Sequence, residues 1–356
     1  MNIAVLISGG VDSAVVVHQL AEQGHNLHLF YIRIGNDDGR GDCSAEEDIE
    51  MCKLIAARYN FPLDIAPLHE EYWEHVMNYT LQTVKKGLTP HPDIMCNRII
   101  KLGFFEQRWG HNFEQTATGH YATTSFVNGV KFLGTAADPV KDQTDFLAQI
   151  TYPQLEHVIF PIGHLTKTQV RQIAVQAKLP NATRRDSQGI CFLGKIDYND
   201  FIRRHLGEKP GSIIEIETGR KLGEHRGYWF HTIGQRKGLG LSGGPWYVVK
   251  KNVDDNVVFV SGGYNCTKQY GRVLYLSEMH WISGDPWPDI DQPVNIAFKN
   301  RHMPEFLRGS LTKMGENEYV IQSDTDVQGI APGQYAVVYD AECRFCFGSG
   351  VITKGE

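Results

Sequence analysis

At 356 residues, 42% hydrophobic and 21% charged, with no low-complexity tract or internal repeat, the chain has the composition of a globular protein of two or three domains. Its apolar runs fall short of the ~20 residues needed to cross a bilayer, and Met1 to Ser8 has no basic region, so no signal peptide is expected and the expected location is the cytoplasm. The net charge of −6 hides a gradient, with four Lys/Arg against thirteen Asp/Glu in residues 1–75 but thirteen against seven in residues 181–251, which predicts a local basic face.

Along the chain, Ile3 to Ile7 is a continuous apolar run, as in a strand buried on both faces. Val11 to Gln23 then spaces its apolar residues helically, and Gly24 stops it. Leu27 to Ile34 predicts a second strand, and Ser44-Ala45-Glu46-Glu47 predicts a capping box that opens a helix. Strand signals at Leu63 to Ala66 and Thr116 to Gly119, and an amphipathic helix over Lys167 to Lys178, continue the alternation. The pattern predicts an α/β doubly wound parallel sheet over residues 1–204. Past residue 205 short β-rich runs without helices predict two small barrel-like domains, 205–271 and 272–356.

The loop Ser8-Gly9-Gly10-Val11-Asp12-Ser13 follows a buried strand and opens a helix. Paired glycines let the backbone approach an anion, and the helix N-terminus adds N–H donors and partial positive charge. The lysine of a Walker A loop is absent, and Asp12 is placed to hold a magnesium ion against phosphates. The hexapeptide resembles the pyrophosphate-binding loop of the N-type ATP pyrophosphatases, which implies ATP as cosubstrate and activation of an oxygen as its adenylate.

Seven cysteines in no even framework are expected to be thiols in a reducing compartment, with any disulfide transient. Cys96 ends the Pro-stiffened loop Thr89 to Met95, just before a helical pattern expected to start near Asn97, where a helix dipole favours thiolate. Asp93, three residues earlier, is placed as a base. Cys191 follows Arg184-Arg185 and a glycine, which makes its surroundings electropositive. Cys52, on an apolar helix face, and Cys266 read as core residues, and Cys343/Cys346 as an incidental pair in a barrel hairpin.

Taken together, S-G-G-V-D-S at 8–13, P-D-I-x-C-N at 92–97, A-T-G-H-Y at 117–121, K-D-Q-T-D-F-L at 141–147, D-S-Q-G-I-C-F at 186–192, I-G-Q-R at 233–236 and P-G-Q-x-A-V-x-Y at 332–339 closely resemble the tRNA-specific 2-thiouridylase family over essentially the whole chain. The resemblance implies ATP-dependent 2-thiolation of the wobble uridine of tRNAs for lysine, glutamate and glutamine. It implies that Leu6, Ile7, Ser8, Gly9, Gly10, Val11, Asp12 and Ser13 bind ATP, with Ile32 and Gly119 on its adenosine part. Cys191 carries sulfur as a persulfide supplied by a cysteine desulfurase or relay protein, Cys96 is its nucleophilic partner, and a Cys96–Cys191 disulfide forms transiently. Asp93 is an acid–base residue beside the target base, next to His91 and Pro92. His120, Lys141, Asp142, Gln143, Arg301, His302 and Gln334 match tRNA-contacting positions. The family usually has Asn where His91 stands and Tyr where His302 stands. Two other functions share the loop: an adenylating amidotransferase or ligase, which needs neither cysteine, and a non-catalytic RNA-binding or sulfur-carrier protein.

Overall fold

The computed structural model describes residues 1–35, 43–185, 198–263, 268, 270–288 and 292–356. Strands β1 (Asn2–Leu6), β2 (Asn26–Arg33), β3 (Leu63–Pro67) and β4 (Gln115–Ala117), a hairpin β5 (Thr123–Val127) and β6 (Val130–Gly134), and β7 (Val158–Ile159) belong to the first part of the chain. Five of them form an all-parallel sheet in the order β3-β2-β1-β4-β7. Strand β1 is apolar throughout because both of its faces are covered. Ile3 and Val5 pack with helix α1 (Val11–Glu22), with Cys52 and Ile55 of α2 (Cys43–Tyr59), and with Val170 and Ala174 of the helix Lys167–Gln176. Ala4 points the other way, into a cluster with Phe30, Tyr72, Val76, Cys96 and Ile100. Helix α2 begins at Cys43, one residue before the expected cap at Ser44.

The helical segment around Cys96 departs from expectation. It starts at Pro92, not near Asn97, because proline is pre-set for the first helical position and His91 Nδ1 accepts from the Ile94 N–H at 3.4 Å as the cap. Cys96 therefore lies a full turn inside, where the field of the helix end has largely decayed. The segment continues from Cys96 to Phe104 as a π-helix, a widened form found often at functional sites.

Four strands follow: β8 (Gly211–Glu215), β9 (Lys221–His225), β10 (Trp246–Asn252) and β11 (Val257–Gly262), in the order β10-β11-β8-β9. The last six, β12 (Tyr270–Trp281), β13 (Val294–Lys299), β14 (Leu307–Lys313), β15 (Tyr319–Gln328), β16 (Tyr335–Tyr339) and β17 (Phe345–Gly355), close into a barrel through the β12–β17 pairing. The early hairpin β5–β6 joins this barrel, with Leu133 opposite Cys346 and Gly134 opposite Phe345. The architecture is thus an α/β parallel-sheet unit followed by two β-rich units, as expected from the sequence.

Candidate active site

Chain order reverses direction between β1 and β4, and ligands of such sheets bind beyond the carboxyl ends of the strands at that point. The loop Ile7 to Gly10 leaves β1 there. Gly9 has φ +72°, and a Cβ on it would meet Asp48 O at 2.8 Å, so only glycine fits. Gly119, just past β4, comes so close to α1 that a Cβ would lie 3.1 Å from Ser13 N. Among the described residues no side chain caps the N-terminus of α1, so its first-turn N–H groups face the loop as an anion site. Ser13 Oγ takes the Ser8 N–H at 3.2 Å and donates to Gly10 O at 3.1 Å, which braces the turn.

Several residues join this loop from far along the chain. Lys167 Nζ lies 2.7 and 2.9 Å from the two oxygens of Asp12, and Tyr121 OH donates to the same carboxylate at 2.8 Å. The Gly9 carbonyl accepts from Asn181 Nδ2 at 2.9 Å and from Arg184 Nη1 at 3.1 Å, and Arg184 also pairs with Asp48 at 2.5 Å. Sequence reasoning placed none of Lys167, Tyr121 or Asn181 in the site. Tyr121 was within reach of it, as the last residue of A-T-G-H-Y. From sequence alone Arg184 is expected only to make the surroundings of Cys191 electropositive.

A second cluster lies where the Cys96 helix meets the barrel. Cys96 is 5% exposed and shares its apolar cluster with Leu6 and Ile32, from the carboxyl ends of β1 and β2. The His91 ring sits 5.7 Å from Phe146 and 6.2 Å from Tyr335, edge to face, and the His302 ring stacks on Phe146 at 4.6 Å. His302 Nδ1 is 2.9 Å from Asp145. Gln334 Nε2 donates to Thr89 O at 3.3 Å and Pro90 O at 2.6 Å, fastening the barrel to the loop before Pro92 and Asp93. His91, Pro92, Asp93, Cys96, His302 and Gln334 are thus brought together, and Arg301 is exposed at the rim. Burial holds the His91 imidazole neutral by lowering its pKa, an effect that Asp93 opposes.

The two clusters are linked. Tyr121, bonded to Asp12, receives Gln143 Oε1 on its N–H at 3.0 Å, and Gln143 belongs to the segment that carries Asp145 and Phe146. Beside it, Asp142 is 1% exposed: its carboxylate takes the Ala136 N–H and the Thr144 hydroxyl and pairs with buried Lys299 at 3.3 Å. None of that carboxylate reaches the surface. His120 bonds Thr118 Oγ1 at 2.9 Å, and removal from water, reinforced by Lys101, pushes its pKa down to about 3. Cys191 and Cys266 lie outside the described residues. Cys52 is buried, with its thiol pushed up to about 12 chiefly by burial, and Cys346 is buried on β17.

A parallel sheet with a capless, glycine-lined helix start at its switch point defines a nucleotide-using α/β domain. Family profiles match in the same order: a tRNA methyl transferase HUP domain over residues 1–195, a tRNA methyl transferase PRC-barrel domain over 199–262, and an aminomethyltransferase beta-barrel domain over 271–352. The chain is 58% identical over 361 residues to the tRNA-specific 2-thiouridylase MnmA of Porphyromonas gingivalis, covering all of both chains. It is 59% identical over 355 residues to MnmA 1 of Bacteroides thetaiotaomicron, covering 99% of this chain and all of that one. It is also 56% identical over 354 residues to MnmA of Parabacteroides distasonis, covering 99% of each. The chain belongs to the tRNA-specific 2-thiouridylase family.

Proposed function

We propose that this protein is a tRNA-uridine 2-sulfurtransferase that makes 2-thiouridine at the wobble position of tRNAs for lysine, glutamate and glutamine. The observation that carries this reading is the link between the two clusters: an anion-binding helix start and a thiol-bearing helix meet at one sheet edge, joined through Tyr121. ATP fits the first cluster, where the uncapped N–H groups of α1 and the close approach of Gly119 make room for a phosphate chain rather than a side chain. Asp12 keeps the Lys167 ammonium at the loop, where triphosphate oxygens offer it a second set of partners. Both Asp12 oxygens are already taken by that ammonium, so Asp12 does not fit a preloaded metal; magnesium belongs here as the ion carried on the nucleotide.

A uracil C2 oxygen is a poor leaving group, and conversion to its adenylate makes it AMP. The protein's part is to hold the base against the Cys96 cluster, exclude water there, and deliver sulfur. In this reading the outer sulfur of a Cys191 persulfide, supplied by a cysteine desulfurase or relay protein, attacks C2. The thiolate of Cys96 attacks the Cys191 sulfur, so that the Cys191 sulfur–sulfur bond breaks, a Cys96–Cys191 disulfide forms and AMP departs. An external thiol then returns both cysteines to the reduced state. Asp93 serves as the acid–base residue beside the base. His91, Pro92, His120, Lys141, Gln143, Arg301, His302 and Gln334 form the RNA face, with Asp142 anchoring its segment from below.

The deciding experiment is mass spectrometry of nucleosides from tRNA incubated with the protein, ATP, magnesium and a persulfide donor. A 2-thiouridine peak that requires ATP and vanishes in Cys96→Ser and in Cys191→Ser is expected. Full activity in either variant, or no product with any donor, would overturn the proposal.

A further inference from the structure

Beside the aromatic cluster, two buried acceptors have no donor among the described residues. Asn97 is 3% exposed, and its Nδ2 donates to Phe146 O at 3.0 Å. That bond fixes the amide, since a flip would set one carbonyl oxygen against another. Asn97 Oδ1 is left buried with no partner among the described residues. Asp145, 2% exposed, spends Oδ2 on His302, and its Oδ1 is likewise buried with no partner among the described residues. Both residues adjoin Phe146, one through its carbonyl and the other as its chain neighbour. Asn97 also follows Cys96 directly and lies one helical turn beyond Asp93.

A buried acceptor without a donor is costly enough to require a reason. Here the complement is chemical. A uridine inside an RNA strand carries only two N–H or O–H donors, the base N3–H and the ribose 2′-hydroxyl. We infer that Asn97 Oδ1 accepts the N3–H of the target uracil and that Asp145 Oδ1 accepts the 2′-hydroxyl of the same nucleotide. The assignment of the base to Asn97 follows from its place beside the thiol that acts on that base. Cytidine offers a lone pair at N3, so it would set acceptor against acceptor and be rejected. Phe146, flanked by His91 and His302, is the adjoining aromatic surface for the extruded nucleotide. The inference rests on uridine being the target, as proposed above.

The test is binding by fluorescence anisotropy of synthetic anticodon stem-loops carrying uridine, N3-methyluridine or 2′-deoxyuridine at the target position. With the unaltered protein, each modification is expected to weaken binding by about 5- to 150-fold, the loss for a buried acceptor deprived of its donor. In Asn97→Ala the N3-methyl penalty should nearly disappear while the 2′-deoxy penalty stays. A purely structural role for Asn97 would lower affinity for all three loops alike. Equal binding of the three loops by the unaltered protein, which depends on no variant folding, would overturn the inference, as would an unchanged N3-methyl penalty in Asn97→Ala. Discrimination without any thiolated product would support it while sinking the sulfurtransferase reading; thiolation without discrimination would sink it alone.

Discussion

At the scale of single residues, the lysine that the phosphate loop lacks in sequence is supplied in space. Lys167 comes from a position 155 residues beyond Asp12 and is held there by both carboxylate oxygens. If it serves the triphosphate, Lys167→Ala should weaken binding of a non-hydrolysable ATP analogue by about 10-fold or more, as for a lost hydrogen bond to a charged group. The unfolding midpoint should hardly move, because a part-exposed ion pair is worth only about 0–1 kcal/mol. Titration calorimetry and thermal unfolding read the two halves separately, and unchanged nucleotide affinity would exclude the role. The loop itself was legible in sequence because its parts are contiguous. Lys167 and Asn181 were not, because nothing in local spacing says which distant side chain the sheet edge will bring to Asp12 or Gly9.

At the scale of elements, the segment 141–147 is held by its charge as much as by its apolar residues. Lys299 of β13 is completely buried, pairs with Asp142, and stands 4.3 Å from the centre of the Phe306 ring. Removing one partner of a buried pair strands the other charge, so Lys299→Met should cost about 3–5 kcal/mol in denaturant unfolding. The double variant Lys299→Met with Asp142→Leu should recover most of that loss. A single variant as stable as the parent would show that the pair carries no such burden. Elements with strong apolar patterning were visible in sequence: β1, β2 and α1 fall within a residue or two of expectation. The Cys96 helix starts earlier than expected because Pro92 is its first helical residue and not only a stiffener of the preceding loop. The hairpin β5–β6 was missed although Asn128-Gly129, both at positive φ (51° and 82°), is the strongest short hairpin signal.

Across the whole molecule, pH dependence should come from histidines kept neutral inside the fold. His225 and His231 pack 5.5 Å apart in the central unit, and the buried Nδ1 of His231 has no partner among the described residues. Burial lowers both pKa values, that of His231 to about 4, with His225 and Lys251 adding to the effect on it. Above pH 6.5 neither the folded nor the unfolded chain protonates these rings. Between 6.5 and about 4 only the unfolded chain protonates the ring of His231, so stability falls as pH falls, by about 1.4 kcal/mol per pH unit if that ring is fully excluded, and the lowered pKa of His225 acts in the same direction. Urea unfolding followed by tryptophan fluorescence at pH 7, 6 and 5 should show this slope, and His231→Gln should flatten it; an identical slope in the variant would remove His231 from the account.

The pairing of β6 with β17 has a consequence for how the chain is made. Thr135 and Cys343, which bond where the hairpin meets the barrel, are 208 residues apart. At the ribosomal rate of about 5–20 residues per second, the outer edge of β6 emerges roughly 10–40 s before the strand that will cover it. Throughout that interval the half-made protein carries an open strand edge, and the barrel completes the first domain by arriving last.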